Sequence, residues 1–200
     1  MTCIAAIKDP NGDIHMGADS QISCGNDLHD AVEPKIFLRN AFLYGVAGPH
    51  RIHNILKHSF TEPPRHMHQD AMAYLVNDWV PAWMQCLDRH GQRKIENNLH
   101  SQDSAWILIA HDTRLFAVAY DLSVMEVWEP FYAMGSGSDI ARGALNILCM
   151  IPNELDYHAK LSYAIGAAMR YNAGCGGMMH HLMLPNHNKA LATENTKKRN

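Results

Sequence analysis

Apolar positions in the first fifty residues come in short runs divided by turn chemistry. Thr2 to Lys8 is a nearly continuous apolar run, Asp9-Pro10-Asn11-Gly12 supplies a turn, and Ile14 to Ala18 runs back, so the spacing predicts a β-hairpin. Beyond a polar stretch, Ile36 to Leu38 and Ala41 to Ala47 predict a second antiparallel pair around Arg39-Asn40. Gly48-Pro49 ends that pair before a helical stretch from Arg51 to Phe60. The period then lengthens: Met72, Leu75, Val76, Trp79, Trp83, Cys86 and Leu87 recur at helical spacing, which predicts a long amphipathic helix kinked at Pro81.

Between Ala105 and Met134 the short runs return as AWILIAH, RLFAVAY, VMEVWE and FYAMG, each with strand character. Asp139 to Met150 and Glu154 to Tyr171 read as two helices parted by Ile151-Pro152-Asn153, with Asn153 expected to cap the second. The glycines of AGCGG end that helix, and HHLML (His180 to Leu184) is a candidate last strand. The order is strands, helices, strands, helices and a final strand, so the fold class is α+β. Two antiparallel sheets stacked face to face with helix pairs outside, a four-layer αββα sandwich, accommodate it. Residues 1–190 form a single domain in this reading, and the polar residues 191–200 are expected to be a disordered tail.

Composition narrows the partners. A 200-residue chain with 47 % apolar content has enough material for one core, and 17 basic against 20 acidic residues leave no excess of positive charge to attract nucleic acid or an anionic membrane. The five cysteines, Cys3, Cys24, Cys86, Cys149 and Cys175, are odd in number and form no CxxC pair, which fits free thiols in a reducing cytoplasm. No signal-peptide pattern and no apolar run of membrane-spanning length is present. The pairs His66/His68 and His180/His181 lack a carboxylate or cysteine at a recognisable ligand spacing, so no metal and no cofactor are expected.

Chemistry points to the N-terminal end. Thr2 follows a single methionine, and removal of Met1 would leave its hydroxyl beside a free α-amine, uniting nucleophile and base in one residue. Asp19 ends the second strand and Lys35 opens the third, so the hairpin layout brings both toward the start of the first. An ammonium near an α-amine disfavours its protonation, and from a starting pKa of about 7.7 to 8.0 a modest downward shift makes the amine a base at neutral pH.

The stretches TCIAAI, GADSQIS, PKIF, LYGVAG and MGSGSDIARGAL together resemble, in order and approximate spacing, the β-type subunits of the proteasome family, in particular the simpler bacterial HslV-like peptidases. The resemblance runs from Thr2 to about Gly177. It implies an N-terminal-nucleophile hydrolase fold and a threonine-type endopeptidase, with Thr2 as mature N-terminus, Asp19 and Lys35 as its acid and lysine, and Gly48 as the backbone donor to the oxyanion. It also implies Ser136 beside the amine, with Gln21 and Ser23 on the substrate side. His50 is a further candidate for the substrate pocket. Homo-oligomeric rings or stacked rings, polypeptide substrates and a ring ATPase that feeds them come with the same resemblance.

The chain departs from the family where proteasome subunits carry Asp-x-x-Ser-Gly-Gly. Here the stretch is NAGCGG, so Asn172 and Cys175 stand at the relay positions, where Asn cannot take a negative charge and Cys is a poorer hydrogen-bond donor. Two other readings stand beside the peptidase: an N-terminal-nucleophile amidohydrolase on a small amide, and a non-catalytic ring subunit.

Overall fold

The computed structural model describes residues 1–24, 27–96 and 99–186; the tail read as disordered lies outside the described residues. The N-terminal hairpin forms from β1 (Ile4–Lys8) and β2 (Ile14–Asp19), with Ile4 opposite Ala18. Two small antiparallel strands that the sequence reading took as polar loop follow, β3 (Gln21–Cys24) and β4 (Asp27–Asp30). Next come β5 (Ile36–Arg39), β6 (Phe42–Ala47) and the helix α1 (His50–His58).

The long helix predicted across Pro81 is interrupted rather than simply kinked. It runs as α2 (Ala71–Tyr74), a π-helical turn over Leu75–Trp79, and α3 (Val80–Arg89). Pro81 has no N–H to give and its ring would crowd the carbonyl one turn back, and the wider turn directly before it relieves both. A second hairpin unforeseen in the sequence, β7 (Lys94–Glu96) and β8 (Leu99–Ser101), leads to β9 (Trp106–His111), β10 (Arg114–Val118), β11 (Val124–Glu126) and β12 (Phe131–Met134). The last elements are α4 (Ser138–Met150), α5 (Tyr157–Tyr171) and β13 (Met179–Leu184). Asn153 does not cap α5: the cap is Asp156, whose carboxylate accepts from the Ala159 N–H at 2.7 Å, while Asn153 accepts from Leu155 N–H in the preceding turn.

The strands assemble into two main antiparallel sheets, ordered β12-β1-β2-β13 and β11-β10-β9-β6-β5. Strand alternation sorts their side chains into three cores. Ile4, Ala6, Met16 and Ala18 meet Leu43, Leu108, Ala110 and Leu115 between the sheets. A Cβ on Gly45 would lie 2.9 Å from Ile4 Cγ2 and 3.0 Å from the Met16 sulfur, so the bare backbone lets the sheets close. Cys3, Ala5 and Ile7 face α4 and α5 through Ala141, Leu145, Leu161, Ala164 and Ile165. On the far side Tyr44, Ile107, Ile109 and Phe116 face Ile52, Trp79 and Trp83. The four-layer αββα sandwich is thus formed. No helix among the described residues is long and apolar enough to cross a membrane.

Candidate active site

Thr2 precedes β1 at the end of the inter-sheet seam and is buried. Its backbone N–H donates to Ser136 Oγ at 3.1 Å, and its hydroxyl donates to the Met1 carbonyl at 2.5 Å. The turn after β12 wraps it closely: Gly135 adopts φ +94°, and a Cβ there would sit 2.2 Å from the Thr2 carbonyl oxygen. Any side chain at that position collides with the threonine backbone, which explains a glycine the sequence reading did not single out.

Asp19 and Lys35 meet as the hairpin layout implies. Lys35 Nζ donates to Asp19 Oδ1 at 2.8 Å, with the carboxylate fully buried and the lysine side chain 7 % exposed. The same Oδ1 accepts from the Cys3 N–H at 2.8 Å, and Oδ2 accepts from the Gly176 N–H at 3.1 Å. A buried ion pair is tolerable only when its remaining hydrogen-bonding capacity is met, and these two amides meet it. The carboxylate therefore ties the residue following Thr2, the lysine and the loop after α5 to one point.

The two positions that depart from the family pattern are built in. Asn172 Nδ2 donates to the Ser136 carbonyl at 2.7 Å, and its Oδ1 accepts from the Gly174 N–H at 2.9 Å. An aspartate there has no N–H for the first contact, so the amide acts here as a clamp that holds the Ser136 backbone against the end of α5. Cys175 Sγ lies 3.8 Å from Ser136 Oγ. It also pairs with the Cys3 thiol, which pushes Cys3 well above the ordinary thiol range with burial adding to it, while the same hydrogen bond pulls Cys175 down. Cys3, facing the helices behind Thr2, thereby joins the cluster of Ser136 and Cys175.

A cleft of about 310 Å³ opens above Thr2, lined by Lys35, Ser23, Gly48, His50 and His53 among others. Gly48 has φ +150°, and a Cβ there would fall 2.7 Å from Ala105 Cα, so no side chain fits between β6 and the residue before β9. Gln21 stands apart from the cleft: its side chain packs on the loop after α5 and donates to the Ala173 carbonyl at 3.1 Å. His53, one helical turn beyond His50, is a lining residue that the sequence pattern does not single out, and its spacing of three on α1 is the available signal. Burial pushes its imidazole down to about 4.

No protein-family profile and no curated protein matches the sequence. The structure of Thiobacillus denitrificans BPH in complex with epoxomicin superposes with a TM-score of 0.77 at 24 % identity, covering 92 % of this chain and 100 % of that one. Thiobacillus denitrificans BPH solved by itself gives 0.76 at 26 % identity over 92 % and 99 %. Eukaryotic HslV from Trypanosoma brucei gives 0.65 at 13 % identity over 91 % and 98 %. The fold is that of the N-terminal-nucleophile hydrolases. The neighbours are HslV- and proteasome-like, in keeping with the resemblance read from the sequence motifs.

Proposed function

We propose that this chain is a threonine-type endopeptidase subunit of a proteasome-like particle. The observation that carries the reading is the buried Lys35–Asp19 pair opening on the same cleft as Thr2, while Ser136 holds the Thr2 nitrogen. Once Met1 is removed, that nitrogen becomes an α-amine. In the proposed reaction Thr2 Oγ attacks the peptide carbonyl carbon as its proton passes to the amine, and the resulting oxyanion takes a hydrogen bond from the Gly48 N–H. Collapse breaks the C–N bond, the ammonium returns its proton to the leaving amine, and an ester on Thr2 remains. Water then attacks the ester with the amine again as base and regenerates the hydroxyl. Lys35 favours the neutral amine through its charge, and Asp19 keeps that charge in place. Ser23 and His50 line the substrate side; Gln21, with its side chain turned away, supports the loop after α5 instead.

Ring assembly belongs to the same proposal. Trp128 is 92 % exposed, and the outer faces of α4 and α5 carry Ile147, Met150, Tyr163 and Tyr171 in the open, apolar surface suited to neighbouring subunits. A homo-oligomeric ring enclosing the clefts would confine cleavage to polypeptides delivered inside, with a ring ATPase as the class of partner that delivers them, and the cytoplasm is the compartment proposed.

An epoxyketone reacts with both a threonine hydroxyl and a free α-amine, so it reports the two groups that the proposed reaction needs. The test is intact mass after incubation with an epoxyketone. We expect loss of Met1, one covalent adduct per chain, and no adduct with Thr2→Ala. Retention of Met1 together with absence of adduct in assembled protein would mean a non-catalytic ring subunit. Labelling without cleavage of any fluorogenic peptide, but with turnover of small amides, would point to an amidohydrolase.

A further inference from the structure

The sequence reading expects no metal, and its histidine pairs are not the ones that matter here. Glu33, which precedes β5, and His50 and His53 on the first turns of α1 bring one ligand atom each to within 4.8 Å of one another. We propose that Glu33, His50 and His53 form a binding site for a zinc-class divalent transition-metal ion on the wall of the Thr2 cleft.

The state of His53 is the strongest support. Its residue is 2 % exposed, yet neither ring nitrogen has a hydrogen-bond partner of acceptable geometry. Buried polar side chains almost always find a partner, so this orphan imidazole marks a missing one. The Phe37 ring meets it edge-on at 5.6 Å and His50 stacks on it at 5.3 Å, which fixes its plane and sets the two imidazoles side by side. Two imidazoles at a spacing of three on a helix with one carboxylate form a donor set that favours zinc-class ions over calcium or magnesium, which prefer oxygen.

The rest of the site supplies access and adjustment. A tetrahedral ion with bonds of about 2.1 Å needs ligand atoms about 3.4 Å apart. The three ligand atoms lie within 4.8 Å of one another, and the exposed His50 ring can close the set by a change of rotamer, while His53 is buried. Lys57 holds Glu33 Oε1 and His58 approaches the same oxygen at 3.2 Å, which anchors the carboxylate by one oxygen and leaves the other for an ion. Three protein ligands leave a fourth position. Because His50 and His53 both line the cleft with Thr2, that position opens toward a bound peptide, whose carbonyl or side chain would complete the shell.

Zinc titrated calorimetrically into chelator-treated full-length protein tests this, with Co²⁺ absorption reporting the coordination geometry. The trio is independent of the nucleophile, so the Thr2→Ala chain must bind as the parent does, and the outcome is separable from that of the peptidase reading. We expect a single saturable ion per chain with a tetrahedral Co²⁺ spectrum. His50→Ala, at an exposed helix start, and Glu33→Gln should each weaken binding at least about tenfold, a loss that even outer-shell changes reach. The other histidine cluster, in which His15 lies 3.3 Å from His181 and His158 meets His181 edge-on, serves as control through His181→Ala. Absence of saturable binding, or binding that survives both His50→Ala and Glu33→Gln, or that is lost only in His181→Ala, overturns the assignment.

Discussion

The two helical layers cover their sheets with different materials. Behind Thr2, α4 and α5 meet β1 through Cys3, Ala5, Ala133, Ala141, Ala164, Ala168 and Cys175. On the opposite face α1 to α3 meet the other sheet through Tyr44, Phe60, Tyr74, Trp79 and Trp83. Small side chains let backbones approach: a Cβ on Gly17 would come 2.7 Å from Ile165 Cδ1, and one on Gly137 would come 2.7 Å from the Cys175 sulfur. The aromatic layer instead fills volume and satisfies its two buried indoles internally, with Trp79 Nε1 donating to Tyr44 Oη at 3.1 Å and Trp83 Nε1 to Gln102 Oε1 at 2.7 Å. One layer brings backbones into close approach, and the other supplies the bulkiest fully buried side chains.

Substitutions can separate these two jobs. Trp83→Ala should produce the largest loss of stability, about 3–5 kcal/mol in chemical denaturation, because it opens a cavity and leaves the Gln102 oxygen without its donor. Under conditions where the variant stays folded, epoxyketone labelling of Thr2 should continue at nearly the parental rate. Gly137→Ala should reverse that profile. Its methyl meets Cys175 Sγ, Ala168 Cβ at 2.9 Å and Cys3 Cβ at 3.0 Å, an overpacking cost of about 1–3 kcal/mol, while labelling slows more than in Trp83→Ala. If Trp83→Ala harms labelling more than Gly137→Ala does, the division between the layers fails.

The smallest effect concerns pH and the aromatic layer. His111 stacks on Phe42 at 4.0 Å, donates from Nδ1 to the Ala41 carbonyl at 3.0 Å and accepts at Nε2 from Arg65 at 2.7 Å. Both nitrogens are thus used by the neutral ring, and burial lowers its pKa below the ordinary histidine value. Between the folded value and about 6.5 the unfolded chain binds more protons, so stability rises with pH there and is lost as pH falls below about 6.5. Denaturation midpoints across that window should show this slope, to which buried His53 also contributes, and His111→Gln should reduce it; an unchanged slope in the variant would remove His111 as a source.

What the sequence made legible follows the range of the contacts. The hairpin of β1 and β2, and the meeting of Asp19 with Lys35 only 16 positions on, rest on local turn chemistry and strand alternation. The layers followed from the order of apolar periods. Asn172 was readable only as a departure, because its use as a clamp on the Ser136 carbonyl spans 36 positions and depends on which atom faces which. The cap of α5 was misplaced because Asn153 and Asp156 are both good caps by type, and the choice between them lies in the backbone. The trio at Glu33 escaped for a similar reason: its carboxylate comes from a loop and its histidines from a helix.

The carboxylate of Asp19 has one more consequence, in the order in which the protein comes into being. Its bond to Gly176 joins residues 157 positions apart, and the bond from Thr2 to Ser136 joins residues 134 apart. A ribosome adding about 5–20 residues per second needs on the order of ten to thirty seconds to cover the first of these distances. Throughout that time the nascent chain carries its threonine without the loop that closes on it later. The start of β1 is therefore made well before the loop after α5, and the surroundings of Thr2 close only once that loop has been made.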